Sequence, residues 1–445
     1  MILRQLPDPV KRFLDRATAL FDKRHADLVE PLFLGQLLAH GRRTATAWFR
    51  AAGISDDFRR AYTLLGTLGR SKVPTCAALL FRDLRRTIDP GPRWLLALDD
   101  TPTQRYGPCV EGAGLHHNPT PGPTHQKFLY GHIWVTTAWV VRHPHWHTLA
   151  LPLIADLYIR ANDLPKIDAD RRPDFVTKLQ LAATQIRWTA EELRDTDKPI
   201  WTVVDGFYAK RPVLQEAQAQ GVIVVGRLRS DAALRDLPPP IPADRRGPGR
   251  PPKYGKHRLS LAKRAGHRQG WQEVTCFQYQ QEVTKTIKTF LATWKPAGGV
   301  IRVVLVGEEH GWLAYFCTDT TASVRDILEA AAGRTAIEDT FKDVKEVEGA
   351  GQQQLRYWRA NEGAFHWCLW GYTVVEWWAW DKPFGHLCDR SDSPWDDANR
   401  RPSHSNRRKA LQRELLGGEF WRRWGEQPCP PEIREVVDAL LELAA

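Results

Sequence analysis

Residues 94–101 read WLLALDDT, five apolar residues that run straight into two aspartates and a threonine. A short continuous apolar run ended by polar residues suits a strand buried on both faces. Working outward, residues 131–141 (GHIWVTTAWVV) and 148–154 (TLALPLI) predict two further strands. Residues 173–194 have helical periodicity. Residues 200–204 (IWTVV) repeat the opening pattern by running into Asp205-Gly206. A helix from about Lys210 and a strand over residues 222–225 follow. Three consecutive strands and then alternating helices and strands predict an α/β protein, a mixed sheet covered by helices.

Around this part, residues 91–235, the texture differs. Residues 1–90 read as helical. The apolar spacing of residues 31–51 predicts one helix carrying Arg42, Arg43 and Arg50, with a second from Asp56. That region reads equally as a DNA-contacting module and as a helical cap. Residues 238–255 (PPPIPADRRGPGRPPKYG) predict irregular chain, and strand-like runs near Glu273, Thr286, Val300 and Trp312 predict a β-rich insertion over residues 236–322. Helices are expected again over residues 323–380. A basic C-terminal region, residues 381–445, follows with helices at 407–416 and 432–443. The apolar run 365–380 is short for a membrane span and is broken by His366 and Glu376, so it reads as a buried helix. Its tryptophans (367, 370, 377, 378 and 380) read as core, with one or two free to stack on an unpaired base.

The chain has 445 residues, 63 Lys and Arg against 52 acids, and a formal charge of +11. That balance favours a polyanionic partner, nucleic acid first, although composition alone leaves a membrane surface open. The seven cysteines are scattered without a CxxC pair, so neither a zinc site nor a disulfide framework is signalled. The N-terminus lacks the apolar core of a signal peptide. A cytoplasmic protein is expected.

The chemistry is expected from acids. Asp99, Asp100 and Asp205 end two apolar strands, and residues 334–345 (RTAIEDTFKDVK) add a third position. At about 100° per residue, Arg334, Glu338 and Lys345 fall within about 40° of each other on a helix. Ile337, Phe341 and Val344 form an apolar band beside that stripe, while Asp339 and Asp343 turn to solvent. Carboxylates converging from two strand ends and one helix can hold two Mg²⁺ or Mn²⁺ ions, which prefer oxygen ligands. Such a pair, about 3.5–4 Å apart, serves in-line phosphoryl displacement. Arg334 and Lys345 would offset phosphate charge. The bland alternatives are surface ion pairs and ordinary turn residues.

Taken in order, these pieces resemble the DDE transposases of bacterial insertion sequences, in the class with a β-rich insertion before the final Glu. Arg334, Glu338 and Lys345 match the Arg, Glu and Lys of its Tyr-Arg-Glu-Lys signature, while Ala331 stands at the Tyr position. LALDDT is similar to the family's first motif. The stretch 203–234, VVDGFYAKRPVLQEAQAQGVIVVGRLRSDAAL, is similar to the second. The resemblance spans about residues 30–415. It implies an RNase H-like mixed sheet with helices on both faces. It also implies double-stranded DNA as substrate, cleavage at element ends, transfer of the 3′-OH into target DNA, and a homodimer in the synaptic complex. By resemblance, Asp99, Asp205 and Glu338 are the catalytic metal ligands, and the Asp-x-Thr spacing prefers Asp99 over its alternative, Asp100. A domesticated DNA-binding copy, to which Ala331 points, and a stand-alone nuclease are the rival readings.

Other features carry less. Gly249-Arg250-Pro251-Pro252 resembles an AT-hook core within a basic linker, and Arg250 and Lys253 are candidate phosphate contacts. His116, His117, His125 and His132 read as members of a Pro- and Gly-rich loop. In residues 401–413 (RPSHSNRRKALQR), Arg407 and Arg408 are candidate DNA contacts on a basic helix.

Overall fold

The computed structural model describes residues 6–117, 127–239, 252–279, 281–390, 393, 395–397 and 399–444. The opening stretch forms β1 (Trp94–Gln104), longer than its apolar part, and the chain returns along β3 (Phe128–His143) and β4 (His147–Tyr158). A short β2 (Gly114–His117) pairs with the start of β3. After α6 (Lys178–Glu192) come β5 (Ile200–Val204), α7 (Arg211–Ala219) and β6 (Ile223–Leu228).

β3 runs antiparallel to β1 and to β4, whereas β5 runs parallel to both β1 and β6. The order β4–β3–β1–β5–β6 is an RNase H-like α/β sheet. The strand-like runs of residues 236–322 form β9 (Gln272–Gln278), β10 (Gln281–Trp294), β11 (Gly299–Glu308) and β12 (Gly311–Cys317), after the short β7 (Leu234–Arg235) and β8 (Arg258–Leu259). They extend the same sheet, because β12 pairs antiparallel with β6.

Alternation along β1 sorts its side chains. Leu98 packs with Ala182 and Ile186 of α6 and with Val213 and Leu214 of α7. Ala97, on the opposite face, packs with Ile327 and Leu328 of α9 (Val324–Gly333) and with Ala336, Ile337 and Phe341 of α10 (Thr335–Glu346). Helices thus cover both faces.

The apolar run 365–380 lies in α11 (Trp358–Ala379) up to its last residue, the C-cap Trp380, and the helix is buried along almost its whole length. It lies between β4 and the N-terminal helices. Trp370 donates from Nε1 to Leu153 O at 2.9 Å, and Phe33 meets Trp367 edge-on at 5.4 Å. Trp367, Trp370, Trp377 and Trp378 are core residues. α1 (Asp8–Thr18), α2 (Ala26–Leu38), α3 (Ala45–Ala52), α4 (Phe58–Thr67) and α5 (Val73–Thr87) share that core.

The helix expected over residues 31–51 is two helices. Gly41 adopts the left-handed φ of 63°, and Thr44 caps α3 by accepting from Ala47 N. The break puts Arg42 and Arg43 on a connection rather than on a helix face. Among the described residues, no helix is long and apolar enough to cross a membrane.

Candidate active site

In the parallel ladder of β1 and β5, Leu98 lies opposite Val204. The next residues, Asp99 and Asp205, therefore emerge side by side, with backbones about 4.8 Å apart. Both lie on the face covered by α9 and α10. Asp205 turns the chain out of β5, its Oδ1 accepting from Phe207 N at 2.9 Å and Tyr208 N at 3.0 Å.

Alternation separates the two adjacent aspartates. Asp100 faces α6 and α7, where its Oδ2 accepts from Lys178 Nζ at 2.9 Å and Tyr208 Oη at 2.7 Å. Asp99 faces Arg334, whose Nη1 donates to Asp99 Oδ2 at 2.5 Å while Nη2 donates to Glu338 Oε1 at 2.6 Å. The Asp99 and Glu338 carboxylates are thus one guanidinium apart. Arg334 sits at the junction of α9 and α10, where one arginine reaches both the strand and the first turn of the helix.

The electrostatics follow from that crowding. Burial, opposed by Arg334 and reinforced by Asp205 and Asp100, pushes the Asp99 carboxyl up to about 7. Burial alone would lower the Arg334 pKa, but the charges of Asp99, Glu338 and Asp205 outweigh it and raise it. Asp99 and Glu338 therefore share one cation, with the Asp205 carboxylate close enough to add its charge. An oxygen-rich cluster short of positive charge suits a hard divalent ion. Among the described residues, no three acid, His or Cys side chains already stand in ligand geometry, since Arg334 lies between Asp99 and Glu338.

Lys345, two turns beyond Glu338, borders a groove of about 1080 Å³ and has no ion pair among the described residues. Burial holds its pKa below that of an ordinary lysine.

Other expected sites fall elsewhere. Arg407 and Arg408 are not on the surface. They lie on α13 (His404–Trp424), 3% and 4% exposed, where Arg407 meets Glu376 at 2.9 Å and Arg408 donates to Leu37 O at 2.6 Å. The burial of Glu348 and Glu376 draws those guanidiniums inward, which corrects the expectation of DNA contact. Asp343 is half-buried beside that cluster rather than turned to solvent.

Lys253 is exposed beside the turn joining β10 and β11, with β10 four strands from β5, about 19 Å across the sheet. Arg250 and His125 lie outside the described residues. His116 and His117 are on β2, and His132 is buried on β3, where its Nε2 lies 2.9 Å from Glu111 O, so these three are strand residues rather than loop ones. Sequence reasoning missed Lys178 and the burial of Tyr208. The only signal was the aromatic pair after Asp205.

An RNase H-like sheet whose adjoining strand ends present carboxylates to a third on a helix is of the nuclease type. The chain belongs to the DDE superfamily endonucleases, whose family model matches residues 18–294. That match includes Asp99 and Asp205 and stops before Glu338. No curated protein matches the chain.

Proposed function

We propose that this chain is the DNA transposase of an insertion sequence, cutting DNA at the element's ends and joining the freed 3′-OH to target DNA. The pairing of Asp99 and Glu338 through the Arg334 guanidinium, with Asp205 beside Asp99 at the end of the neighbouring strand, in a DDE superfamily endonuclease, carries the reading.

Asp99, Asp205 and Glu338 would hold two Mg²⁺ or Mn²⁺ ions, which supply charge stabilisation at phosphorus and acidify water. Arg334, already forked between two carboxylates, is set to exchange one of them for a phosphate, which its planar donors bind bidentately. Lys345 adds a second cation further along the same helix. In cutting, a water oxygen bonds to phosphorus and gives up a proton as the P–O3′ bond breaks, and the leaving 3′ oxygen takes up a proton to become the free 3′-OH. In joining, that 3′ oxygen bonds to a target phosphorus as the target's own P–O3′ bond breaks. Synapsis of two ends calls for a homodimer.

The test incubates the full chain and Glu338→Gln with a labelled duplex from the element's own end, a supercoiled plasmid, and Mg²⁺ or Mn²⁺. Cutting and joined product in the wild type alone is the expected result. Nicking without joining would make it a nuclease. Binding without cutting by either protein would make it a DNA-binding copy that has lost its chemistry.

A further inference from the structure

The groove that Lys345 borders is floored by the far end of β1 and walled by the loop after α10. Its lining is unlike that of a small-molecule pocket. Arg42, Gln104, Tyr106, Lys345, Gln352 and Gln354 dominate it, and Glu346 is its one acid. Among the described residues, the side chains of Gln104, Tyr106 and Gln354 take no hydrogen bond, and Tyr106 is 76% exposed. Free amides, free cations and an upright aromatic ring match what a nucleic acid offers: base edges, phosphates and ring faces.

The loop that carries the glutamines is firmly held. Arg105, only 7% exposed, lies beneath it, without a carboxylate partner among the described residues, and donates to Gly351 O, to Gln353 O at 3.2 Å and to Asn361 Oδ1 at 2.8 Å. Burying an unpaired guanidinium is costly, and burial lowers its pKa to about 10. Gln353 turns inward, donating to Arg43 O at 2.9 Å and Gly349 O at 2.8 Å. Gln352 accepts from Arg43 N at 2.7 Å, while Gln354 projects outward. Gly351 adopts φ of 94° and passes so close to Thr103 that a Cβ there would lie 2.9 Å from the Thr103 Cβ. One loop is therefore pinned to the strand that bears Asp99, and the exposed Gln104 and Gln354 both line the groove between them.

From these contacts we infer that the groove reads bases of the DNA strand flanking the cut, with Gln104 and Gln354 as the specificity-determining residues and Tyr106 as a stacking platform. This rests on the transposase reading above for the position of the cut. Lys345 is seven residues from Glu338, about 10 Å along a helix. Gln104 is five residues from Asp99, about 17 Å along a strand. At about 3.4 Å per nucleotide step, the groove meets the third to fifth positions from the scissile phosphate. A glutamine amide pairs bidentately with adenine N6 and N7, so adenine is the base expected there.

The test has two arms. In the first, the full chain and Gln104→Ala/Gln354→Ala nick a plasmid library randomised around the element end in Mn²⁺, and the cut sites are sequenced. The wild type should show a base preference at the third to fifth positions that the double variant loses. An equal preference in both proteins would overturn the inference.

The second arm needs no cutting. Duplexes bearing 5-iodouracil at single positions are irradiated with the wild-type protein in EDTA, and the crosslinked peptide is identified. Crosslinks at Tyr106 support the groove assignment. Crosslinks confined to other surfaces overturn it. Crosslinking at Tyr106 without any cutting by the wild type would remove the transposase reading while leaving the groove a DNA-reading site.

Discussion

Arg334 Nη1 lies 2.5 Å from Asp99 Oδ2, joining the start of α10 to β1 across 235 residues of chain. The same guanidinium holds Glu338, so Arg334 is the hub through which the carboxylates meet. Replacing it with Ala should leave far-ultraviolet circular dichroism intact and lower single-turnover DNA cutting by about 100-fold or more. Arg334→Lys should recover little, because an ammonium cannot fork between two oxyanions. Full activity in Arg334→Ala would remove the phosphate role.

Asp99 and Asp100 are separated by strand alternation, and their variants should part accordingly. Asp99→Asn should abolish metal-dependent cutting with little change in thermal melting. Asp100→Asn should leave measurable cutting but weaken the Lys178 and Tyr208 contacts, at about 1–3 kcal/mol of stability read by denaturant titration. Identical losses of cutting in both would mean that the two faces of β1 are not functionally distinct.

His404 sits fully buried between Glu348 Oε1 at 2.8 Å and Glu376 Oε1 at 2.6 Å, with Arg407 and Arg408 beside the two acids. Burial opposes its charge, yet the two glutamates hold its pKa above the ordinary 6.5. Burial likewise opposes the glutamates, and Arg408, Arg407 and His404 hold them below the ordinary 4.5. The histidine's contribution is complete below pH 6.5 and lost as pH rises through its folded value. The glutamates' contribution is complete above pH 4.5 and lost as pH falls through theirs. The cluster should therefore stabilise most between about pH 4.5 and 6.5. His404→Gln should cost about 3–5 kcal/mol at pH 6 and clearly less at pH 9. A melting-temperature gap that does not change with pH would show that His404 is neutral throughout.

Two glycines let α11 meet the α4 region at backbone distance. A Cβ on Gly363 would stand 2.1 Å from Leu65 O, and one on Gly69 would stand 1.9 Å from Arg359 O. Gly363→Ala should destabilise by about 1–3 kcal/mol through forced separation of the helices. Gly66→Ala, in open space on α4, should stabilise by about 0.5–1 kcal/mol. Thermal melts of the two variants should move in opposite directions, and a stabilising Gly363→Ala would contradict the close packing.

Much of the fold was legible because it is written in short periods. Residues 200–204 form β5 as expected, the strand-like runs between Glu273 and Trp312 form β9 to β12, and the run 365–380 lies within a buried helix up to its C-cap, Trp380. The misreadings share one cause. The pattern of residues 31–51 keeps helical spacing across a turn that Gly41 and Thr44 impose, and RPSHSNRRKALQR looks like a solvated basic face until Glu348 and Glu376 are packed against it. Local spacing reports which residues share a face, not what lies opposite that face.

The α/β alternation, the two strand-end acids and the Arg334–Glu338–Lys345 stripe can be read from residue order alone, since each depends only on periodicities of two or about 3.6 residues. Long-range packing sets the rest: Asp99 rather than Asp100 faces Arg334, Arg407 and Arg408 turn inward, and Gln104 and Gln354 share a groove with Lys345. Those outcomes depend on strand register and on buried charges finding partners, both set between segments tens to hundreds of residues apart, where no local period reaches.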